Sequence, residues 1–172
     1  MPDALPPRLR EGASTLLRRI SATGAPSLLF LHGAGCGGWV WEEGFAEHCA
    51  AAGLPALVLE FDHRAGSASL GDYVAQARAV LAQQEGPVVL VGHSLGALVA
   101  QRLLLEPVVR GAALLTPVPP EGLWFSSARL ALTDPALWSE AARMDQPIGT
   151  APADLARNLF SAAMPKALAE RF

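Results

Sequence analysis

Short apolar runs alternate with longer amphipathic segments along most of this chain. Such runs are typical of buried strands, and they occur at 27–31, 56–60, 88–91 and 112–115. A weaker alternation predicts an edge strand at 16–20. Apolar residues at helical spacing predict helices at 41–52, 70–84 and 95–105. Because strands and helices alternate, the predicted class is α/β, with a doubly wound, mostly parallel sheet and right-handed crossovers.

The pattern changes after residue 116. Prolines and a glycine interrupt the chain, at Pro117, Pro119, Pro120 and Gly122. Short helical segments are predicted beyond them, at 125–132, 135–144, 152–161 and 165–172. The predicted organisation is a loose proline-rich arm at 1–13, a core at 14–116 and a helical region at 117–172.

A serine lies where the apolar run at 88–91 meets the apolar helix that follows. The sequence there is Gly92-His93-Ser94-Leu95-Gly96. A Gly-x-Ser-x-Gly turn between a strand and a helix is typical of a nucleophile elbow, whose strained backbone exposes the serine hydroxyl. Glycines are needed at 92 and 96 because the strand and helix backbones come so close that side chains would clash. Ser94 is therefore the predicted nucleophile, with a positive φ.

A glycine-rich loop follows the strand at 27–31. It begins His32-Gly33-Ala34-Gly35 and ends at Trp39, and its glycines allow a ligand to approach the backbone closely. Acyl transfer needs hydrogen-bond donors aimed at the developing oxyanion. The elbow pattern takes one N–H from the residue after the nucleophile and one from this earlier loop. We therefore assign the N–H groups of Leu95 and Ala34 to the oxyanion hole.

With these two motifs the chain resembles the α/β-hydrolase superfamily. Leu31-His32-Gly33-Ala34, followed by Trp39 and Trp41, is similar to its esterase and hydroxynitrile-lyase-like branch, and the resemblance extends from about residue 14 to the end of the chain. The resemblance implies that His32 braces the loop and that 117–172 begins a helical cap over a pocket. Candidate pocket-lining residues are Trp39, Leu123, Trp124, Phe125 and Trp138. An equal alternative is that these apolar side chains only pack as core.

The catalytic acid and base that the resemblance requires are not found. In this superfamily the triad runs Ser, then Asp or Glu, then His, whereas none of the four histidines follows Ser94: they are His32, His48, His63 and His93. We expect the fold to lack its carboxyl-terminal strands, the acid and base to come from outside this chain, and the isolated chain to be a weak enzyme or inactive. His63, in a loop after the strand at 56–60, is the one substitute base considered.

Composition narrows the possible functions. Hydrophobic residues make up 51% of the 172 residues and charged residues only 17%. This composition predicts that part of the apolar surface is covered by a partner or by a further segment. The net charge of −3 gives no basic field for nucleic acid. The chain has no apolar run of about 18 residues, and Pro2 and Asp3 do not fit a signal peptide, so no membrane association and a cytoplasmic location are expected. The two cysteines, Cys36 and Cys49, form no disulfide framework and no metal motif.

These observations predict hydrolysis of carboxylic esters of small apolar substrates through Ser94, with no metal or organic cofactor. Two alternatives stay open: a non-catalytic binding module on the same scaffold, and a cofactor-free lyase. The expected partners are a small-molecule ester and a second copy of the chain. The second copy would dock through the uncharged strand at 112–115 and the helices beside it, because an unprotected sheet edge pairs readily.

Overall fold

The structure, a computed structural model, describes residues 16–20, 26–42, 44–62 and 68–135. The chain forms two compact units, Met1–Gly122 and Leu123–Phe172. The division falls six residues after the boundary expected at 116 because the intervening segment is bonded to the first unit. Gln101 Nε2 donates to the carbonyl of Val118 at 3.1 Å, and Arg102 donates to that of Pro120, also at 3.1 Å.

The described part of the first unit contains one five-stranded sheet. Its strands are β1 (Leu16–Ile20), β2 (Ser27–Leu31), β3 (Ala56–Glu60), β4 (Val88–His93) and β5 (Val109–Leu115). Their order across the sheet is β1-β3-β2-β4-β5. The β1 strand pairs antiparallel with β3, and the other neighbours are parallel. The prediction of a mostly parallel sheet with an edge strand at 16–20 is confirmed.

Helices cover both faces of the sheet, as a doubly wound fold requires. Those of the first unit are α1 (Trp39–Glu42), α2 (Phe45–Ala51), α3 (Leu70–Leu81) and α4 (Leu95–Arg102). Leu29 and Leu31 on one face of β2 pack with residues of α3 and α4, whereas Leu28 and Phe30 on the other face pack with residues of α1 and α2. Since successive side chains of a strand point to opposite faces, a strand buried on both faces must be apolar throughout.

The prediction of one helix at 41–52 was wrong in one respect, because the chain forms two short helices there. Gly44 separates α1 from α2 with a φ of 111°, a conformation that a continuing helix does not allow. The segment ends at its C-cap residue Ala52, in agreement with the predicted range. Gly53 has a φ of 86°, its N–H donates to Ala50 and the N–H of Leu54 donates to Cys49, which together form a Schellman motif.

Three other boundaries differ from the sequence expectation by a few residues. The helix α3 ends at Leu81 and α4 at Arg102, because the N–H groups of Gln83 and Gln84 after α3, and of Leu103 after α4, bond three residues back instead of four. The strand β5 begins at Val109, three residues before the predicted start, since Val109 is buried and pairs with Val88.

The second unit is described only at its start. The helix α5 (Trp124–Thr133) lies where a helix is predicted at 125–132, and Trp124, Phe125 and Leu132 are exposed on it. The predicted helices at 152–161 and 165–172, and all but the first residue of that at 135–144, lie outside the described residues. No helix in the described ranges is both long and apolar enough to cross a membrane.

Candidate active site

The two predicted motifs meet at the point where the order of the strands reverses. From β2 the chain crosses to β3 on one side and then to β4 on the other side. In open α/β sheets, ligands bind outside the carboxyl ends of the strands at such a switch point. The glycine loop leaves the carboxyl end of β2, and Ser94 follows the carboxyl end of β4. Because β2 and β4 are parallel neighbours, the topology brings the two segments to the same edge of the sheet.

Ser94 has the strained backbone of an elbow. Its φ of 51° and ψ of −113° lie outside the regions that L residues ordinarily adopt, and the positive φ predicted from the sequence is present. Neighbouring segments hold this conformation. The N–H of Ser94 donates to the carbonyl of Leu115 at 3.0 Å, and the carbonyl of Ser94 accepts from Ala97 at 3.1 Å. Strain of this kind persists only where the surroundings over-determine it.

The glycines on either side of Ser94 allow two close backbone contacts. A Cβ at position 92 would lie 2.6 Å from the Cα of Ala97, so β4 and α4 could not approach as they do. A Cβ at position 96 would overlap the carbonyl oxygen of Leu31, at the end of β2. Glycine at 96 therefore sets how closely the start of α4 packs against the strand that carries the glycine loop.

The start of the glycine loop lies against Ser94. A Cβ at Gly33 would be 3.2 Å from the Cβ of Ser94 and 2.9 Å from Nδ1 of His93. The N–H of Cys36 donates to the carbonyl of Gly33 at 3.3 Å, which closes a turn with Gly35 at a φ of 69°. This turn does not use the N–H of Ala34, which follows Gly33 directly and is exposed.

The two N–H groups assigned to the oxyanion hole are free of other bonds in the part of the chain that the structure describes. Neither Ala34 nor Leu95 donates its N–H to a described residue. Leu95 is the first residue of α4, so its N–H is one of the four that a helix leaves unbonded at its positive end. Both N–H groups are therefore available to a ligand as donors.

His32 braces the loop from below, as the resemblance implies. Its ring is fully buried, with Nδ1 2.9 Å from the carbonyl of Gly33. Nε2 accepts from the N–H of Phe61 at 3.1 Å, so the proton of the neutral ring resides on Nδ1, which donates to Gly33. The ring is committed to holding the backbone, and it is not available as a base for Ser94.

Sequence reasoning missed Glu60, the last residue of β3. Its Oε2 accepts from the N–H of Gly38 at 2.6 Å, so the far end of the glycine loop is bonded to β3. The sequence did carry a signal, because Glu60 is a single carboxylate at the end of an otherwise apolar buried strand. Such a residue at the carboxyl edge of a parallel sheet lies where ligands bind.

The remaining candidates are spread over the chain. Trp39 is half-buried and covers Gly37, where a Cβ would lie 2.8 Å from its ring. Cys36 is half-buried in the loop, and burial raises the pKa of its thiol, which disfavours the nucleophilic thiolate. His48 is exposed on α2.

Three candidate pocket residues belong to the second unit. Leu123 directly precedes α5, and Trp124 and Phe125 are its first two residues. The remaining candidates, His63 and Trp138, lie outside the described residues.

The sequence of the chain matches the alpha/beta hydrolase family over residues 28–172. This match and the sheet that positions the elbow show that the chain belongs to the alpha/beta hydrolase family. The two motifs from which the resemblance was drawn both lie inside the matched range. A comparison with curated protein sequences gives no significant match.

Solved structures share the fold at low sequence identity. An esterase from Exiguobacterium antarcticum is 16% identical with a TM-score of 0.63, covering 91% of this chain and 61% of the esterase. A monoacylglycerol lipase from Paleococcus ferrophilus is 17% identical with a TM-score of 0.56, covering 72% of this chain and 53% of the lipase. Mouse alpha/beta hydrolase domain-containing protein 10 is 16% identical with a TM-score of 0.55. The match covers 95% of this chain and 67% of the mouse protein. This chain therefore spans only part of the length of these proteins.

Proposed function

We propose that the protein is a serine hydrolase that cleaves carboxylic esters of small apolar substrates, with Ser94 as nucleophile. The observation that carries the proposal is the strained φ of 51° at Ser94 beside two backbone N–H groups that have no partner among the described residues. A serine that was only packed into a turn would have no need of this backbone strain.

In the proposed reaction, Ser94 Oγ attacks the carbonyl carbon of the ester. The carbonyl oxygen becomes an oxyanion, which the N–H groups of Ala34 and Leu95 stabilise at the positive end of α4. The alcohol then leaves, an acyl group remains on Ser94, and water hydrolyses it. Ester-cleaving enzymes among the solved structures of this fold support the choice of substrate class.

The proton of Ser94 needs an acceptor that we place outside this chain. All four histidines precede Ser94 in the sequence, whereas the base of this family's triad follows the nucleophile. His93 is the residue next to Ser94, and the buried ring of His32 already bonds Gly33 and Phe61. Without a base, an oxyanion hole and substrate binding alone retain an acceleration of roughly 10³–10⁴ over water. The isolated chain should accordingly be a weak catalyst.

Hydrolysis of p-nitrophenyl acetate with and without added imidazole tests this function. We expect slow hydrolysis by the chain alone, hardly changed by Ser94→Ala, because the remaining acceleration would come from the oxyanion hole and substrate binding, and the base is proposed to lie outside this chain. Imidazole supplies a diffusible base, so the rate difference between the chain and Ser94→Ala should grow with imidazole concentration. Ser126→Ala, an exposed serine on α5, is the matched control and should behave like the unaltered chain.

Labelling with a fluorophosphonate in the presence of imidazole, read out by peptide mass spectrometry, should place the adduct on Ser94. No adduct there, and no serine-dependent rate at any imidazole concentration, would contradict the hydrolase and favour a non-catalytic binding module. Robust Ser94-dependent hydrolysis without imidazole, by material of the expected 18.0 kDa, would contradict the external base. His63→Ala would then be the next variant to assay.

A further inference from the structure

The carboxyl end of β3 is bonded to the glycine loop at two consecutive residues. The Phe61 N–H donates to His32, whose other nitrogen bonds the carbonyl of Gly33, and the Glu60 carboxylate accepts from the N–H of Gly38. The first connection fixes the start of the loop and the second fixes its end. Ala34 lies between the two fixed points.

The Glu60 carboxylate lies close to two glycines that the elbow and the oxyanion hole do not require, together with Trp39 at Gly37 and Val58 at Gly38. A Cβ at position 37 would lie 3.0 Å from Oε1 of Glu60, and a Cβ at position 38 would lie 3.1 Å from Oε2 and 2.9 Å from Val58. These distances are shorter than ordinary van der Waals contacts of a Cβ, so Gly37 and Gly38 leave space for the carboxylate beside Trp39 and Val58.

Ion pairing does not explain the placement of this carboxylate. The nearest basic nitrogen in the described ranges is Nε2 of His32 at 3.7 Å, beyond hydrogen-bond distance. The lone pair of that nitrogen already accepts from Phe61. The bond from the Gly38 N–H to the Glu60 carboxylate is short, at 2.6 Å, and hydrogen bonds to ionised acceptors are generally shorter than those between neutral groups. The backbone of the loop is therefore the partner that Glu60 binds.

We propose that Glu60 is a positioning residue that holds the glycine loop so that the N–H of Ala34 faces the oxyanion formed at Ser94. The loop is closed by the turn from Gly33 to Cys36, and beyond it the carbonyls of Gly37 and Gly38 accept from the first turn of α1. Loss of the acceptor at Gly38 lets this end of the loop move and turns the Ala34 donor away from its position. The effect on the reaction rests on the proposed function, whereas the bond to the loop does not.

Amide hydrogen exchange and chemical shifts of the labelled full chain test the bond without any turnover. In Glu60→Ala we expect faster exchange at Gly38 and shifted resonances for Gly38 and Ala34, while core amides such as Leu29 and Leu90 stay unchanged. Glu60→Gln keeps an oxygen acceptor, so Ala34 should stay as in the unaltered chain and only the Gly38 proton should move, because a neutral acceptor replaces a charged one. Glu106→Ala is the matched control, since its carboxylate pairs with Arg78 of α3 and lies before the amino end of β5, away from the glycine loop in the sequence.

Imidazole-supported hydrolysis adds a readout that a merely structural residue would not move. Glu60→Ala should lower the Ser94-dependent rate by about tenfold, less than the roughly 10²–10³ expected for removing a donor outright, and Glu60→Gln should restore most of it. Unchanged Gly38 and Ala34 amides in Glu60→Ala overturn the proposal. If that variant does not fold, an unchanged Gly38 proton in Glu60→Gln overturns it equally. Altered amides with no hydrolysis by the unaltered chain support the bond and contradict the proposed function instead.

Discussion

Gly96 shows at the scale of one residue how closely the site is built. Its backbone lies against the carbonyl oxygens of Leu31 and His32, so that the start of α4 touches the end of β2. This contact determines the separation between Ser94, which begins the turn into α4, and the glycine loop, which continues β2. A methyl group at position 96 would push the start of α4 away from β2. The same displacement would lower the stability of the fold and move Ser94 relative to the glycine loop.

We predict that Gly96→Ala destabilises the fold by about 1–3 kcal/mol or more, because an added carbon in a packed interior forces backbone shifts. Chemical denaturation followed by circular dichroism measures the loss. Gly111→Ala on β5 is the control, since a Cβ there meets no atom within 4 Å. Its stability should be unchanged or higher by at most about 1 kcal/mol. Equal midpoints for the two variants would contradict the steric account of the elbow.

At the scale of an element, α3 depends on a capping box at its first turn. Ser69 Oγ accepts from the N–H of Asp72, and the Asp72 carboxylate accepts from the N–H and the hydroxyl of Ser69 at 2.8 Å each. The backbone bond from Ser69, and then its side-chain bond, lower the pKa of Asp72. The bonded carboxylate compensates helix donors that would otherwise lack partners.

We predict that Ser69→Ala lowers the free energy of unfolding by about 1 kcal/mol, the typical value for a lost N-cap, whereas Ser126→Ala within α5 changes it by less than about 0.5 kcal/mol.

We also predict that the contribution of Asp72 to stability depends on pH. Because its pKa in the fold is below the ordinary value, the stabilisation is fully present above that ordinary value and disappears as the pH falls through the folded pKa. Denaturation of the unaltered chain and of Asp72→Asn over a pH series measures this contribution. A difference in the free energy of unfolding that persists at the lowest pH would contradict the role assigned to the carboxylate.

At the scale of the whole molecule, β5 ends the described sheet on the side opposite β1. Ala113 and Leu114 on it are exposed, and 111–115 contains no charge or proline to protect an edge. Leu105, which lies between α4 and β5 in the chain, is also exposed. We propose that a second copy of the chain covers this edge, since parallel or antiparallel pairing would satisfy the outward backbone groups.

We predict self-association with on the order of 1,000 Å² or more buried between two copies, or aggregation where pairing does not close. Light scattering across a concentration series measures it. Ala113→Lys places a charge on the edge strand and should shift the equilibrium toward monomer, whereas Ala79→Lys, an equally small exposed residue on α3, should not. A monodisperse monomer of 18.0 kDa at high concentration would refute the proposal.

Local signals in the sequence predicted much of the site. The glycines around Ser94 and in the loop after β2 are visible because a close approach or a left-handed turn excludes other residues, and the structure shows these constraints at Gly35, Gly92 and Gly96. Helix ends were less predictable. The break at Gly44 depends on a single φ within a segment whose apolar pattern continues across it.

The sequence by itself determined the order of the elements, the serine at the elbow and the buried faces of the strands, because each follows from periodicity or sterics among neighbouring residues. Only the tertiary structure decided that β2 lies between β3 and β4, which brings Ser94 against Gly33. Only the tertiary structure revealed the bond between Glu60 and Gly38. These partners are 22 residues apart, and a hydrogen bond between distant residues leaves no periodic trace in the chain.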